Sequence, residues 1–166
     1  MYKKNDIVIN KKGQVCKIID IAEMNVGDTS KTYYVLAPYF AMKGDSSKFY
    51  IPTDIEGMLR EPIEKKEIKK ILTRIEHLDV IWYTNPKLRK TKFKEMYDSG
   101  DPINIFTIIK SFEAKKKELI NEKKNLSFTD ENFLKEIKRN IYNEFAVSLG
   151  KDSQEVEKEI SKILQQ

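Results

Sequence analysis

Residues 1–51 carry short runs of apolar and β-branched side chains that are separated by turn residues. Strands are predicted over 6–10, 15–22, 32–36 and 48–51, with turns at 11–14, 25–28 and 44–47. The run over 15–22 has apolar residues at both odd and even positions, which favours a strand buried on both faces. Short strands at this spacing predict a small β-barrel or a strongly bent sheet.

From residue 54 onward the apolar residues recur with the period of an α-helix. A stripe of this kind runs through 64–78 at Ile68, Ile71, Leu72 and Ile75. Asn85-Pro86 predicts a turn that leads into a further helix. Helix N-caps are predicted at Asp101, Ser127 and Asp152. Gly150 is predicted to end the helix that begins at Ser127. Together these signals predict a compact helical bundle.

The two patterns meet at Pro52. The predicted fold is therefore α+β with two domains, a small β-domain over 1–52 and an all-α helical bundle over 53–166. A domain of about 50 residues has marginal stability on its own, so we expect the strands to pack against the rest of the chain or against a partner.

The composition argues against an enzyme. Among 166 residues there is one cysteine, Cys16, and one histidine, His77, too few for a disulfide framework or a Cys-rich zinc site. No P-loop, dinucleotide-binding or HExxH motif is present. We therefore expect no catalysis, no metal, no cofactor and no small-molecule substrate.

Because there is no signal-peptide h-region and no apolar run of about 20 residues, we expect a soluble, cytoplasmic protein without a membrane partner.

The charge is mildly basic, with a net charge of +5 that permits a nucleic-acid partner without demanding one. Only four residues are arginines, and together with the many Ile and Asn this indicates an AT-rich coding genome.

Five cations fall within 87–94, with no acid before Glu95: Lys87, Arg89, Lys90, Lys92 and Lys94. On a helix, the first, third and fifth share one face, while Leu88, Met96 and Tyr97 can point inward. Such a face suits either solvent or a phosphate backbone.

Two further stretches have a structural and a functional interpretation each. Trp82, just before the basic run, is either a core residue or an aromatic that wedges into DNA or stacks on a base. The last predicted strand comprises Lys48, Phe49, Tyr50 and Ile51. It is either an ordinary barrel strand or an edge strand whose free backbone groups pair with a partner.

The chain resembles the CarD/CdnL family of bacterial RNA-polymerase-binding transcription regulators over nearly its whole length. The stretches that carry the resemblance are, in order, 2–9 (YKKNDIVI), Gly13, 33–36 (YYVL), Ile51-Pro52, Leu59-Arg60, 98–101 (DSGD), Leu126-Ser127 and 144–150 (EFAVSLG). Their order and spacing together are more specific than any one of them.

The resemblance implies a Tudor-like β-domain that binds the polymerase β subunit, largely through strand pairing, and a helical domain that contacts promoter DNA upstream of the −10 element. It implies stabilisation of the melted promoter, localisation with the polymerase on the nucleoid, and no catalysis or cofactor. Many relatives place a wedge tryptophan at the position matched by Pro86, four residues after Trp82. Some relatives use arginines against polymerase where this chain has Met24 and Tyr50.

Two other hypotheses remain open. One is an adaptor that binds polymerase or another protein without touching DNA. The other is a free-standing nucleic-acid binder that uses the β-domain as its platform. The scattered charge of residues 1–53 argues against the latter.

Overall fold

The structure is a computed structural model that describes residues 1–165. It has an α+β fold, as the sequence predicts: a five-stranded antiparallel sheet is followed by helices. The chain forms two compact units, Met1–Pro62 and a second that begins at Ile63.

The first unit is an open sheet with strand order β4-β3-β2-β1-β5. Its strands are β1 (Ile7–Asn10), β2 (Val15–Val26), β3 (Thr29–Pro38), β4 (Phe49–Pro52) and β5 (Leu59–Arg60). The longest strands, β2 and β3, form a hairpin whose two-residue turn begins at Gly27, with φ +65°. That backbone conformation favours glycine, which explains why the turn lies there.

The sheet bends at a β-bulge in β2. Ile18 pairs with Leu36, but Asp20 pairs with Val35, so Ile19 is the extra residue. A bulge increases the local twist and lets a short sheet curl over its own core. That core consists of buried Val8, Cys16, Ile18, Tyr34 and Leu36. Of the two predicted forms, a small β-barrel or a strongly bent sheet, the structure shows an open sheet with two edges, β4 and β5.

The segment after Pro52 is not helical, and here the sequence-based expectation was wrong. β5 pairs with β1 through Arg60 opposite Ile9, and the first helix begins only at Lys65. A two-residue strand has no periodicity to detect, because at least four residues are needed to show alternation.

The second unit contains five α-helices within the described residues. They are α1 (Lys65–Arg74), α2 (Pro86–Asp98), α3 (Pro102–Asn121), α4 (Phe128–Leu149) and α5 (Ser153–Leu164), and a 3-10 turn over Ile75–His77 extends α1. The three predicted N-caps, Asp101, Ser127 and Asp152, are confirmed, because each side chain accepts a hydrogen bond from a backbone N–H of its own first turn. Asn85, predicted only as part of a turn, caps α2 in the same way. Gly150 ends α4 in the left-handed conformation, as predicted.

The core of the second unit joins all five helices. It is built on the helical stripes of the sequence, including Ile68 and Ile71 of α1 and Phe93 of α2. Glu144 of α4 is also buried, and one of its carboxylate oxygens accepts a hydrogen bond from the Ile63 N–H at 3.0 Å. This bond fixes the segment that enters α1 to the surface of α4.

Candidate functional site

Strand β4 lies at an edge of the sheet, with β3 on one side and no strand on the other within the described residues. The register places Phe49 opposite Leu36, Tyr50 opposite Val35 and Ile51 opposite Tyr34. Of the two interpretations that the sequence left open for 48–51, the structure favours an edge strand. Lys48 lies immediately outside the strand.

The open edge offers the backbone groups of Tyr50. Thr53 donates its N–H to the Thr32 carbonyl at 3.0 Å, and the register places these two residues opposite each other. In an antiparallel pair such hydrogen-bonded positions recur at every second residue. Phe49 and Ile51 therefore bond towards β3, whereas the N–H and C=O of Tyr50 point outward. Pro52 adds an outward carbonyl but has no N–H.

The side chains of Met24 and Tyr50 lie on one face of the sheet. Cross-strand partners share a face, so Tyr50 lies with Val35, on the side opposite core residues Tyr34 and Leu36. Counting along β2 from Ile21, the partner of Tyr34, places Met24 on the same side as Tyr50. Both are exposed, Met24 by 41% and Tyr50 by 49%. The two positions matched to arginines of relatives thus present an apolar and an aromatic side chain on one accessible face.

Helix α2 carries the basic run. It begins at Pro86, and the Asn85 carboxamide oxygen accepts hydrogen bonds from the N–H groups of Lys87 and Leu88 at 3.0 and 3.1 Å. All four lysines of the run are exposed: Lys87, Lys90, Lys92 and Lys94.

The charges of these four lysines are not equally available. Lys94 Nζ lies 2.6 Å from the Asp98 carboxylate, and Lys92 Nζ lies 4.0 Å from the Glu95 carboxylate. No ion pair involves Lys87 or Lys90 among residues 1–165. The first turns of α2 therefore hold the cations that are best placed to meet an anionic partner.

Arg89 does not belong to the exposed face, which corrects its grouping with the lysines. It is 7% exposed, and its Nη2 lies 2.7 Å from Asp130 Oδ2 in α4. Its Nη1 donates to the carbonyls of Tyr83 and Thr84 at 2.8 and 3.3 Å. The guanidinium is already occupied by protein partners and holds the start of α2 against α4. Leu88, expected to point inward, is exposed instead.

Trp82 lies in an aromatic cluster of the second unit. Its ring makes edge contacts with Phe93 and Phe112, with centroids 6.3 and 5.5 Å apart. The Arg89 guanidinium carbon lies 4.6 Å from the ring centroid and Lys115 Nζ lies 5.5 Å from it. These contacts favour the core interpretation of Trp82 over the DNA wedge.

Among residues 1–165, the most exposed aromatic is Phe128, which sequence reasoning missed. Phe128, the first residue of α4, is 82% exposed and lies two positions before Asp130, the partner of Arg89. The signal was available in the sequence, because a predicted N-cap at Ser127 places Phe128 at the first helical position, outside the buried stripe that begins at Leu134.

Metal-binding clusters, membrane-spanning helices and similar known proteins give no further functional site. Within the described part of the chain, no three His, Cys, Asp or Glu side chains are grouped to hold a metal ion. In the same residues, every helix is too short or too polar to cross a bilayer. No protein-family model matches the sequence, and a search of curated proteins finds no significant match.

Proposed function

We propose that the chain is a transcription regulator of the CarD/CdnL type, which binds the RNA polymerase β subunit and stabilises the open promoter complex. In this proposal the five-stranded sheet is a Tudor-like polymerase-binding domain and the helical unit is a separate DNA-contacting domain. The protein would act in the cytoplasm, on the nucleoid, through polymerase. The observation that carries the proposal is the exposed edge strand β4, because the sequence resemblance implies docking by strand pairing.

Docking would add a strand of the β subunit to β4. The Tyr50 N–H and C=O and the Pro52 carbonyl are the groups that would bond to it, since the register directs them away from β3. Each backbone hydrogen bond contributes only about 1 kcal/mol net, so side chains must add affinity. Tyr50 on the edge strand and Met24 on β2, two strands away on the same face, supply exposed side chains for that purpose.

DNA contact would come from the lysines of α2. Lys87 and Lys90 would make the main contacts, because the charges of Lys92 and Lys94 are partly neutralised by neighbouring carboxylates. Such contacts are with phosphates, so they would position the protein without reading sequence. Stabilising the open complex by about 1.4 kcal/mol would shift its equilibrium ratio tenfold.

A second candidate function is an adaptor that binds polymerase or another protein and does not touch DNA. The burial of Arg89 and the ion pairs of Lys92 and Lys94 favour it, because they reduce the charge that α2 presents.

The lifetime of an open promoter complex, measured with and without the full chain, tests the proposal and separates the two candidates. The regulator prolongs the lifetime, and the variant Lys87→Gln/Lys90→Gln loses most of this effect. The matched control is Lys65→Gln/Lys66→Gln, which removes two exposed lysines of α1 and should retain the effect.

Salt dependence gives a second readout. The quantity to measure is the association constant K of the chain with the promoter complex, at several salt concentrations. For every lysine–phosphate pair that a substitution removes, the slope of log K against the logarithm of the salt concentration should become shallower by about 0.9. If the α2 variant prolongs the lifetime as the unmodified chain does, the adaptor function is correct. If the chain leaves the lifetime unchanged, the regulator function is wrong.

A further inference from the structure

Two large apolar side chains are exposed at one corner of the helical unit, where α3 ends and α4 begins. Ile120 is 63% exposed and Phe128 is 82% exposed, the highest values among the large apolar side chains of this unit within residues 63–165. An ion pair between Lys116 Nζ and Glu131 Oε1, 3.3 Å apart, joins the two helices here. Because Ile120 lies one turn after Lys116 and Phe128 one turn before Glu131, both apolar side chains lie at this corner.

The same corner carries a surplus of positive charge. Every glutamate between the last turn of α3 and the first turn of α4 is already paired with a lysine: Glu118 with Lys115, Glu122 with Lys124, and Glu131 with Lys116. Lys117 and Lys123 are exposed and have no ion pair among residues 1–165. Lys117 lies one turn before Ile120, and the Lys123 N–H donates to the Ile120 carbonyl at 2.9 Å. The two unpaired lysines therefore flank the apolar pair.

An exposed aromatic ring beside unpaired lysines matches the chemistry of single-stranded nucleic acid. An unpaired base stacks on such a ring, and the lysines contact the neighbouring phosphates. A protein partner matches less well, because lysine is depleted in protein–protein interfaces. Duplex DNA also matches less well, because its bases are stacked on one another and offer no free face to the ring.

We infer that this corner binds a single-stranded nucleic acid, with Phe128 stacking on one base and with Lys117 and Lys123 contacting phosphates. Ile120 adds an apolar surface beside the ring. Because stacking does not read the hydrogen-bonding edges of a base, the binding has little sequence preference. The inference goes beyond the proposed function and does not depend on it, since it uses no residue of α2 or β4.

Fluorescence anisotropy of the full chain with a labelled thymidine oligonucleotide of about ten nucleotides, within the range of site sizes that one small binding fold covers, tests the inference. An abasic oligonucleotide of the same length is the matched ligand, because it keeps the phosphates and lacks the bases. We expect saturable binding of both, about tenfold tighter for the thymidine oligonucleotide, which gains one base–aromatic stack. A uridine oligonucleotide, titrated in parallel, distinguishes RNA from DNA as the preferred ligand.

Substitutions separate the stacking contact from the phosphate contacts. Phe128→Ala should weaken binding of the thymidine oligonucleotide about tenfold and leave abasic binding unchanged, whereas Phe128→Tyr, which keeps a ring, should retain the preference for bases. Lys117→Gln/Lys123→Gln should instead weaken binding of both oligonucleotides alike. Val80→Ala is the matched control, because it removes an exposed apolar side chain elsewhere in the same unit.

Three results would overturn the inference. The first is a lack of saturable binding of the thymidine oligonucleotide, and the second is equal binding of the thymidine and abasic oligonucleotides by the unmodified chain. The third is a Phe128→Ala variant that binds the thymidine oligonucleotide as tightly as Val80→Ala does. In that case the exposed ring serves no nucleic acid, and a protein partner becomes the better explanation of the apolar pair.

Discussion

Replacing Arg89 by glutamine tests how the start of the basic helix is held in the bundle. The Arg89 and Asp130 side chains are 9% and 14% exposed, so the substitution leaves a nearly buried carboxylate without its cation. Breaking such a pair costs about 3–5 kcal/mol. Because Asp130 lies in the first turn of α4, where the helix dipole stabilises a carboxylate, we expect about 3 kcal/mol, the lower end of that range.

Urea unfolding followed by tryptophan fluorescence measures this cost. Trp82 is the single tryptophan, and it lies in the same unit as the pair, so its emission reports on that unit. Lys94→Gln is the control, since its partner Asp98 and Lys94 itself are both more than half exposed and the pair should contribute less than about 0.5 kcal/mol.

A double variant, Arg89→Met/Asp130→Leu, adds a check on the cause. Replacing both charges by apolar groups should recover much of the lost stability, because no buried charge is left unpaired. If Arg89→Gln and Lys94→Gln unfold within about 1 kcal/mol of each other, the Arg89–Asp130 pair does not hold the start of α2 in the bundle.

Two further predictions follow from burial. Trp82 is partly buried against the core, so Trp82→Ala should lower the free energy of unfolding by about 3 kcal/mol, the lower end for a core aromatic, as measured by circular dichroism. Phe128→Ala should change it by less than about 0.5 kcal/mol. Equal effects would contradict the contrast between a core ring and an exposed one. Burial raises the pKa of the Cys16 thiol from 9.0 to about 11, so the folded state resists ionisation. Stability should therefore fall as the pH rises from 9 towards 11, because the unfolded chain releases the thiol proton there and the folded chain retains it. Cys16→Ala should make this fall shallower without removing it, because burial also raises the pKa of the Tyr97 and Tyr142 phenols, which act in the same direction.

The helix starts were predictable from the sequence because capping is local. Asn85 and Ser127 each bond to backbone N–H groups two or three residues ahead, so composition and spacing contain the whole signal. The end of α4 at Gly150 was predictable for the same reason. Strand β5 was not, because its pairing with β1 joins residues about fifty positions apart and its two residues show no alternation.

The candidate site was predictable only in part. The edge position of β4 depends on the order of strands, which sequence alone left open. The role of Arg89 depends on Asp130, forty-one positions away, and no local pattern distinguishes this arginine from the neighbouring lysines.

Docking through β4 is tested most directly by titrating the full chain against the isolated β-subunit lobe of RNA polymerase from a bacterium of low GC content. The informative pair of variants is Tyr50→Pro, which removes the outward N–H, and Tyr50→Val, which keeps the N–H and removes only the aromatic ring. Circular dichroism establishes that both are folded. Docking through β4 predicts saturable binding at micromolar concentrations or tighter, moderately weakened by Tyr50→Val, which loses the ring, and lost by Tyr50→Pro, which loses both the ring and the outward N–H. Absence of binding at high micromolar lobe, or equal binding by the two variants, would contradict it.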